Sequence, residues 1–351
     1  MSGLVATLLQ THRSSQKGKT VSKTGLGKPI IVIPDDIGGS FKSSPGIDRL
    51  KAIATIEFHT ERASDDADLI KRIRNANVIL SFRPAFTKFP KLVLDGAPDL
   101  RMICISGTGT EDVAVADATS RSISVANVPG PSNRAVAEHC LGLLFAVARR
   151  IATQDRAIRR GEWKAMQGIE LGGKILGIIG VSGISSELAP LARGLGMKVI
   201  SWSRNNDVAR AAAIGSQAVL LDELLATADV ISLHVRLNDQ TRHMIGANEF
   251  ACMKQGAILI NTARGGVVDE AALLHALENR QICGAGLDVF ETEPLLADHP
   301  FLTNENVVMT PVSAWSTVDA SARMINQSIE NVVQFLAGAP VNIVNSAALK
   351  A

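Results

Sequence analysis

Short runs of β-branched and apolar residues recur along this chain. Each is followed by a stretch whose apolar residues return every three or four positions. The runs PIIVI (29–33), NVIL (77–80), RMICIS (101–106) and SVANV (124–128) come first, and segments 66–75 and 88–95 between them have helical spacing. Strand, crossover helix, strand is the rhythm of a parallel sheet, because parallel neighbours need a crossover long enough to return the chain. A second series follows from KILGIIG (174–180) through KVISW (198–202), DVISLHV (229–235), AILINT (257–262) and GAGLDV (284–289) to NVVMT (306–310). Six strands with helical connections predict a doubly wound nucleotide-binding domain.

Between the two series, GPSNRAVAEHCLGLLFAVARRIATQDRAI opens with turn residues, and Ser132 or Asn133 is the expected cap of one long helix. Its alanines and leucines recur on more than one face, so it is expected to be buried between domains or subunits. A last helix is expected from about 316 to 337, after which GAPVNIVN packs back on the first series. The second domain is therefore inserted in the first, and the cleft between them is the expected ligand site. The expected boundaries are a basic tail (1–28), a substrate domain (29–130 plus 318–345) and a dinucleotide domain (131–317).

The chain has 351 residues, 46% hydrophobic and 20% charged, with a formal net charge of +2, so neither a basic nucleic-acid footprint nor a membrane-seeking surface is expected. No apolar run is long enough to span a bilayer. Cys104, Cys140, Cys252 and Cys283 match no zinc spacing and read as reduced core residues of a cytoplasmic protein. The first acid is Asp35, and before it Arg13, Lys17, Lys19, Lys23 and Lys28 are scattered among Ser and Thr. That composition fits a disordered tail better than an arginine-rich transit peptide.

A dinucleotide is expected at the turn Gly180-Val181-Ser182-Gly183-Ile184-Ser185, where a strand ends and a helix begins. The first glycine of the G-x-G-x-x-G pattern is present; Ser182 and Ser185 stand at the second and third. The Ser182 Cβ is expected to restrict φ and to crowd the phosphates, weakening affinity without abolishing it. At the end of the next strand Ser203, Arg204 and Asn205 replace the acid that would bind a ribose 2′-hydroxyl. A neutral residue followed by arginine favours NADP(H) over NAD(H).

From about 29 to 345 the chain resembles the D-2-hydroxyacid dehydrogenase family. The resemblance rests on ISGTGTEDVAVADATSRSISVANVPG, AVAEHCLGLLFAVAR, ELGGKILGIIG, INTARGGVVDEAALLHAL, GAGLDVFETEP and NVVMTPVSAW. It implies an α/β fold of two Rossmann-like or flavodoxin-like domains and a homodimer acting on a small 2-keto or 2-hydroxy acid. Among catalytic positions it implies Arg264 in the ARGG turn, Glu293 in DVFETEP and a histidine after TP. The last position holds Val312. Gly107, Thr108 and Gly109 are the implied carboxylate cradle, Arg83 a further charge, and Trp315 the aromatic beside small keto acids. Thr262, Ala263, Asp288 and His234 are implied on the cofactor side.

Valine can neither give nor take a proton, and a positioned acid–base group contributes roughly 10²–10⁴-fold. Glu293 is then the remaining group that can carry a proton, directly or through water. His139 and His234 lie near the cleft and read as structural; His299 sits on the loop before the last strand. Three functions stay open: a keto acid reductase with altered acid–base catalysis, a non-catalytic binding descendant, and another hydride transfer that needs no histidine.

Overall fold

The computed structural model describes residues 27–82 and 87–349. Arg83 and nearly all of the basic N-terminal segment lie outside the described residues.

Five strands form the first sheet: β1 (Ile30–Ile33), β2 (Thr55–Phe58), β3 (Val78–Phe82), β4 (Met102–Ser106) and β5 (Ser124–Ala126). They lie in the order β2-β1-β3-β4-β5, all parallel. Alternating side chains divide the sheet into two faces. One face carries Ile79 and Ile103 against Leu69 and Ile73 of α2 (Asp66–Ile73) and Val93 and Leu94 of α3 (Lys91–Asp95). The other carries Ile31, Ile33, Leu80 and Cys104 against Leu50 of α1 (Ile47–Ile53) and Ile325, Ile329 and Val332 of α12 (Val318–Leu336). Helix α4 (Val115–Ser120) precedes β5.

The second sheet has seven strands: β6 (Ile175–Ile179), β7 (Lys198–Trp202), β8 (Gln217–Ala218), β9 (Val230–Leu233), β10 (Ala257–Asn261), β11 (Ile282–Leu287) and β12 (Val307–Met309). Their order is β12-β11-β10-β9-β6-β7-β8, again parallel throughout. Strand order reverses between β6 and β9, and in such sheets the crevice outside the strand C-termini at the reversal is the ligand site. Leu143 and Leu144 of α5 (Asn133–Ala148) and Leu188 of α7 (Gly183–Gly194) cover one face. Leu224 of α9 (Leu221–Thr227), Phe250 of α10 (Ala247–Cys252) and Leu273 of α11 (Glu270–Glu278) cover the other. Because α12 returns to the first sheet, the second domain is an insertion in the first.

Several local expectations differ from the structure. The single long helix is two, α5 and α6 (Ile151–Arg159), broken where Arg150 takes φ +54. Ser132 stands at the N-cap of α5 but its side chain makes no capping bond. β2 was not expected: its residues are only exposed or half-buried, so this edge strand lacks a continuous apolar signature. Of the cysteines, Cys104 and Cys140 are buried, Cys283 is half-buried and Cys252 is exposed. Among the described residues no helix is long and apolar enough to cross a membrane.

Candidate active site

Nearly every described residue singled out above falls just beyond the C-terminal end of a strand. On the second sheet Gly180–Ile184 follow β6, Ser203–Asn205 follow β7, His234 follows β9, Thr262–Arg264 follow β10, Asp288 follows β11 and Val312 follows β12. On the first sheet Gly107–Gly109 follow β4. Among the described residues, two contacts link these edges. Arg264 Nη2 donates to Glu111 Oε1 at 3.0 Å, and the Trp315 ring stands edge-on to Phe82 with centroids 5.8 Å apart.

Arg264 is aimed by its neighbours. Its Nη1 donates to the Ala263 carbonyl at 2.7 Å, and its own carbonyl accepts from Asn261 Nδ2 at 3.0 Å. The next residue, Gly265, lies so close to the 290–291 backbone that a Cβ would fall 1.9 Å from Phe290 C. Only glycine allows that approach, which brings Arg264 beside the loop carrying Glu293. Glu293 is exposed and its Oε1 accepts from the Phe290 amide at 3.0 Å, so the carboxylate curls over its own loop. No cation pairs with Glu293 among the described residues.

Val312 has φ +55, a left-handed conformation that is a genuine outlier for a β-branched residue. The backbone around it explains how it is held. Its amide donates to the Asp288 carbonyl at 2.9 Å, and its carbonyl accepts from Trp315 Nε1 at 2.8 Å. The Asp288 side chain is buried and accepts from Thr310 Oγ1 (2.6 Å), the Ser313 amide (2.8 Å) and the Ala314 amide (2.9 Å). Asp288, expected on the cofactor side, thus organises the turn that presents residue 312. Trp315 braces the same turn while bridging the two sheets.

The histidines are engaged elsewhere. Thr310 Oγ1 spends its proton on Asp288, so at 2.9 Å it accepts from His139 Nε2, which fixes that tautomer. His234 Nε2 bonds Ser232 Oγ at 2.9 Å while its Nδ1 is buried without a partner among the described residues; burial pulls this imidazole down to about 4. His299 accepts from the Phe301 amide and pairs with Glu270.

A dinucleotide fits the β6–α7 turn on two observations. Gly180 has φ +100, and a Cβ there would lie 2.9 Å from the His234 backbone. The amides of Gly183 and Ile184, in the first turn of α7, have no protein acceptor among the described residues, leaving donors for a phosphate. The expectation for Ser182 is corrected: its φ of −139 is ordinary extended backbone, so its side chain imposes no strain. Instead Ser182 and Ser185 cap each other, Ser182 N donating to Ser185 Oγ at 2.5 Å and Ser185 N to Ser182 Oγ at 3.4 Å. The serines therefore take up two amides that a phosphate would otherwise use. Ser203 Oγ accepts from the Asp207 amide, while Arg204 and Asn205 are exposed. Arg210, not foreseen, donates from Nη2 to the Val181 carbonyl at 2.7 Å and so lies over the glycine turn. Thr262 is buried against Cys140 Sγ at 3.2 Å.

On the first sheet the cradle is narrower than expected. The Gly107 amide turns inward to the Ile105 carbonyl at 2.9 Å; the amides of Thr108 and Gly109 have no protein acceptor among the described residues. Glu111 was also missed. It stands in the same GTGTED stretch, but nothing in its spacing signals that it reaches across to Arg264.

A family model described as D-isomer specific 2-hydroxyacid dehydrogenase, NAD binding domain, matches residues 141–314. The chain is 38% identical over 291 residues to a glyoxylate reductase of Korarchaeum cryptofilum, covering 80% of this chain and 86% of that protein. Among solved structures, a glyoxylate reductase from Paecilomyes thermophila aligns with a TM-score of 0.81 at 29% identity, over 92% of this chain and 100% of that one. An acyclic imino acid reductase in complex with NADPH and D-Arg aligns with a TM-score of 0.78 at 29% identity, over 90% of this chain and 99% of that one.

Proposed function

Because the chain belongs to the D-isomer specific 2-hydroxyacid dehydrogenase family, a family of oxidoreductases, we propose that it reduces a small 2-keto acid with a nicotinamide dinucleotide, NADP(H) in preference to NAD(H), and that its acid–base step is altered. The observation that carries this reading is the Arg264–Glu111 contact. A guanidinium already holding a carboxylate across the cleft is placed for the carboxylate of a keto acid, a two-pronged match that lysine makes poorly.

In this reading the substrate carboxylate displaces Glu111 from Arg264 and rests on the Thr108 and Gly109 amides. Trp315 walls the pocket on the side of Phe82. Residues 180–184, Ser203–Asn205, His234, Thr262 and Ala263 hold the cofactor, which when bound supplies the hydride. Glu293 and residue 312 flank the reacting carbon and oxygen. Valine leaves the oxygen without a protein acid at that position, so turnover of a ketone is slowed by the roughly 10²–10⁴-fold such a group contributes.

Preference for NADP(H) is supported by the missing acid after β7, by exposed Arg204, and by Arg210 over the turn. The relative solved with NADPH agrees. A homodimer is supported by exposed Ile151, Ile158 and Trp163, the last 90% exposed, around α6. A patch of this kind is commonly covered by a second subunit.

The test is to titrate NADPH and NADH by fluorescence, then follow NADPH oxidation with glyoxylate, hydroxypyruvate and pyruvate. Tighter NADPH binding with slow turnover is expected. Tight binding with no turnover on any substrate favours the non-catalytic descendant. Absence of binding refutes the reading.

A further inference from the structure

We propose that the double bond reduced most readily in this cleft is carbon–nitrogen: the protonated imine formed between a 2-keto acid and an amine. The inference rests on the reductase reading above and names the substrate class of the same site.

Hydride delivery to a ketone leaves negative charge on oxygen, which must gain a proton as the bond forms. Among the described residues around position 312, the neighbouring N–H and hydroxyl donors are engaged by protein acceptors, and only Glu293 remains as a group that could carry a proton. Val312 has no exchangeable proton. The Trp315 Nε1–H is spent on the Val312 carbonyl at 2.8 Å. The His139 Nε2–H is spent on Thr310 Oγ1 at 2.9 Å, and His234 is buried against Ser232. The chain contains no tyrosine.

A protonated imine removes the requirement. Condensation of a keto acid with an amine takes up one proton and releases water. Hydride then adds to carbon, the π pair moves to nitrogen, and the product is a 2-amino acid whose nitrogen kept the proton it arrived with. The nicotinamide is oxidised, and the protein transfers no proton in the reducing step.

The charges fit the same substrate. Arg264 is balanced by Glu111 at 3.0 Å, and Glu293 has one oxygen on the Phe290 amide and no cationic partner among the described residues. Flanking the reacting atoms as proposed above, such a carboxylate opposes a developing oxyanion and favours a cationic N–H. The imino acid, cationic at nitrogen and anionic at its carboxylate, satisfies both Glu293 and Arg264; a keto acid satisfies only Arg264.

The test uses the full chain with NADPH and pyruvate, with and without excess methylamine, against enzyme-free controls. Methylamine is expected to raise NADPH oxidation about 100-fold or more, the scale of the missing acid. The product should be N-methylalanine and not lactate by mass spectrometry. As a readout independent of turnover, N-methylalanine should raise the melting temperature of the enzyme with NADP⁺ more than lactate does. Glu293→Gln should reduce the amine-dependent rate at least 10-fold. Equal rates with and without amine, or lactate as the main product, overturn the proposal. If NADPH binds but neither substrate is reduced, it is overturned as well. Recovery of pyruvate reduction in Val312→His would then show that the reductase reading survives its failure.

Discussion

Replacing Val312 with histidine puts the central reading at risk on two scales. The first is conformational. A non-glycine residue held in a sparsely populated region costs about 1–3 kcal/mol, and a β-branched side chain at φ +55 is among the less tolerated cases. The backbone there is fixed by the Asp288 carbonyl and Trp315 Nε1, neither of which depends on the side chain. Histidine, unbranched at Cβ and enriched at positive φ, should enter without moving the turn. The melting temperature is expected to hold or to rise, a gain of up to about 1 kcal/mol once the half-buried valine methyls are lost. The second scale is kinetic. An acid positioned beside Glu293 should restore about 10²–10⁴-fold in kcat/KM for glyoxylate, or about 3–5 kcal/mol of barrier. The assay is NADPH oxidation at saturating cofactor without amine, with a thermal melt in parallel. A gain below about 10-fold in a folded, cofactor-binding variant would refute the placement of residue 312 at the reacting oxygen.

Four further outcomes are expected. Burial holds His234 at about 4 while the unfolded chain takes its proton near 6.5. The unfolded state therefore binds more protons between those values, and stability present above about pH 6.5 is lost as pH falls toward 4, by about 3 kcal/mol. Acid melts of His234→Gln should show a shallower slope over that window, and an unchanged slope would contradict the assignment. Asp288→Asn turns one acceptor into a donor facing the Thr310, Ser313 or Ala314 donors, and should cost about 1–3 kcal/mol in denaturant titrations. Arg204→Ala should weaken NADPH binding while leaving NADH nearly unchanged; equal losses would remove its role in choosing the cofactor. Trp163→Asp should shift the mass in light scattering toward a monomer, and a monomeric parent would remove the dimer.

The parallel architecture was legible because each central strand is a continuous apolar run and each crossover has helical spacing. ILGII and AILIN illustrate this, being buried almost throughout. β2 was not legible, since an edge strand buries too little to imprint a pattern. The identities at 264, 293 and 312 could be read from the resemblance alone. What spacing could not give is which groups face one another across the cleft. Glu111 lies 153 positions from its partner Arg264, and Arg210 lies 29 from the Val181 carbonyl it covers. Both are surface charges in sequence context, and a charge run there reads as solvated. The bonds of Asp288 were not legible for a related reason: they run mostly to backbone amides 25 and 26 positions further along the chain, and backbone donors leave no mark in composition.

The return of α12 to the first sheet also dictates an order of events during synthesis. The five N-terminal strands leave the ribosome first, yet Met102 and Cys104 lack their cover until Ile325, Ile329 and Val332 have been translated. Asn345, whose side chain bonds the Val125 amide at 2.9 Å, comes later still. The middle of the chain, contiguous from β6 to β12, can close on itself while one face of the first sheet stays open.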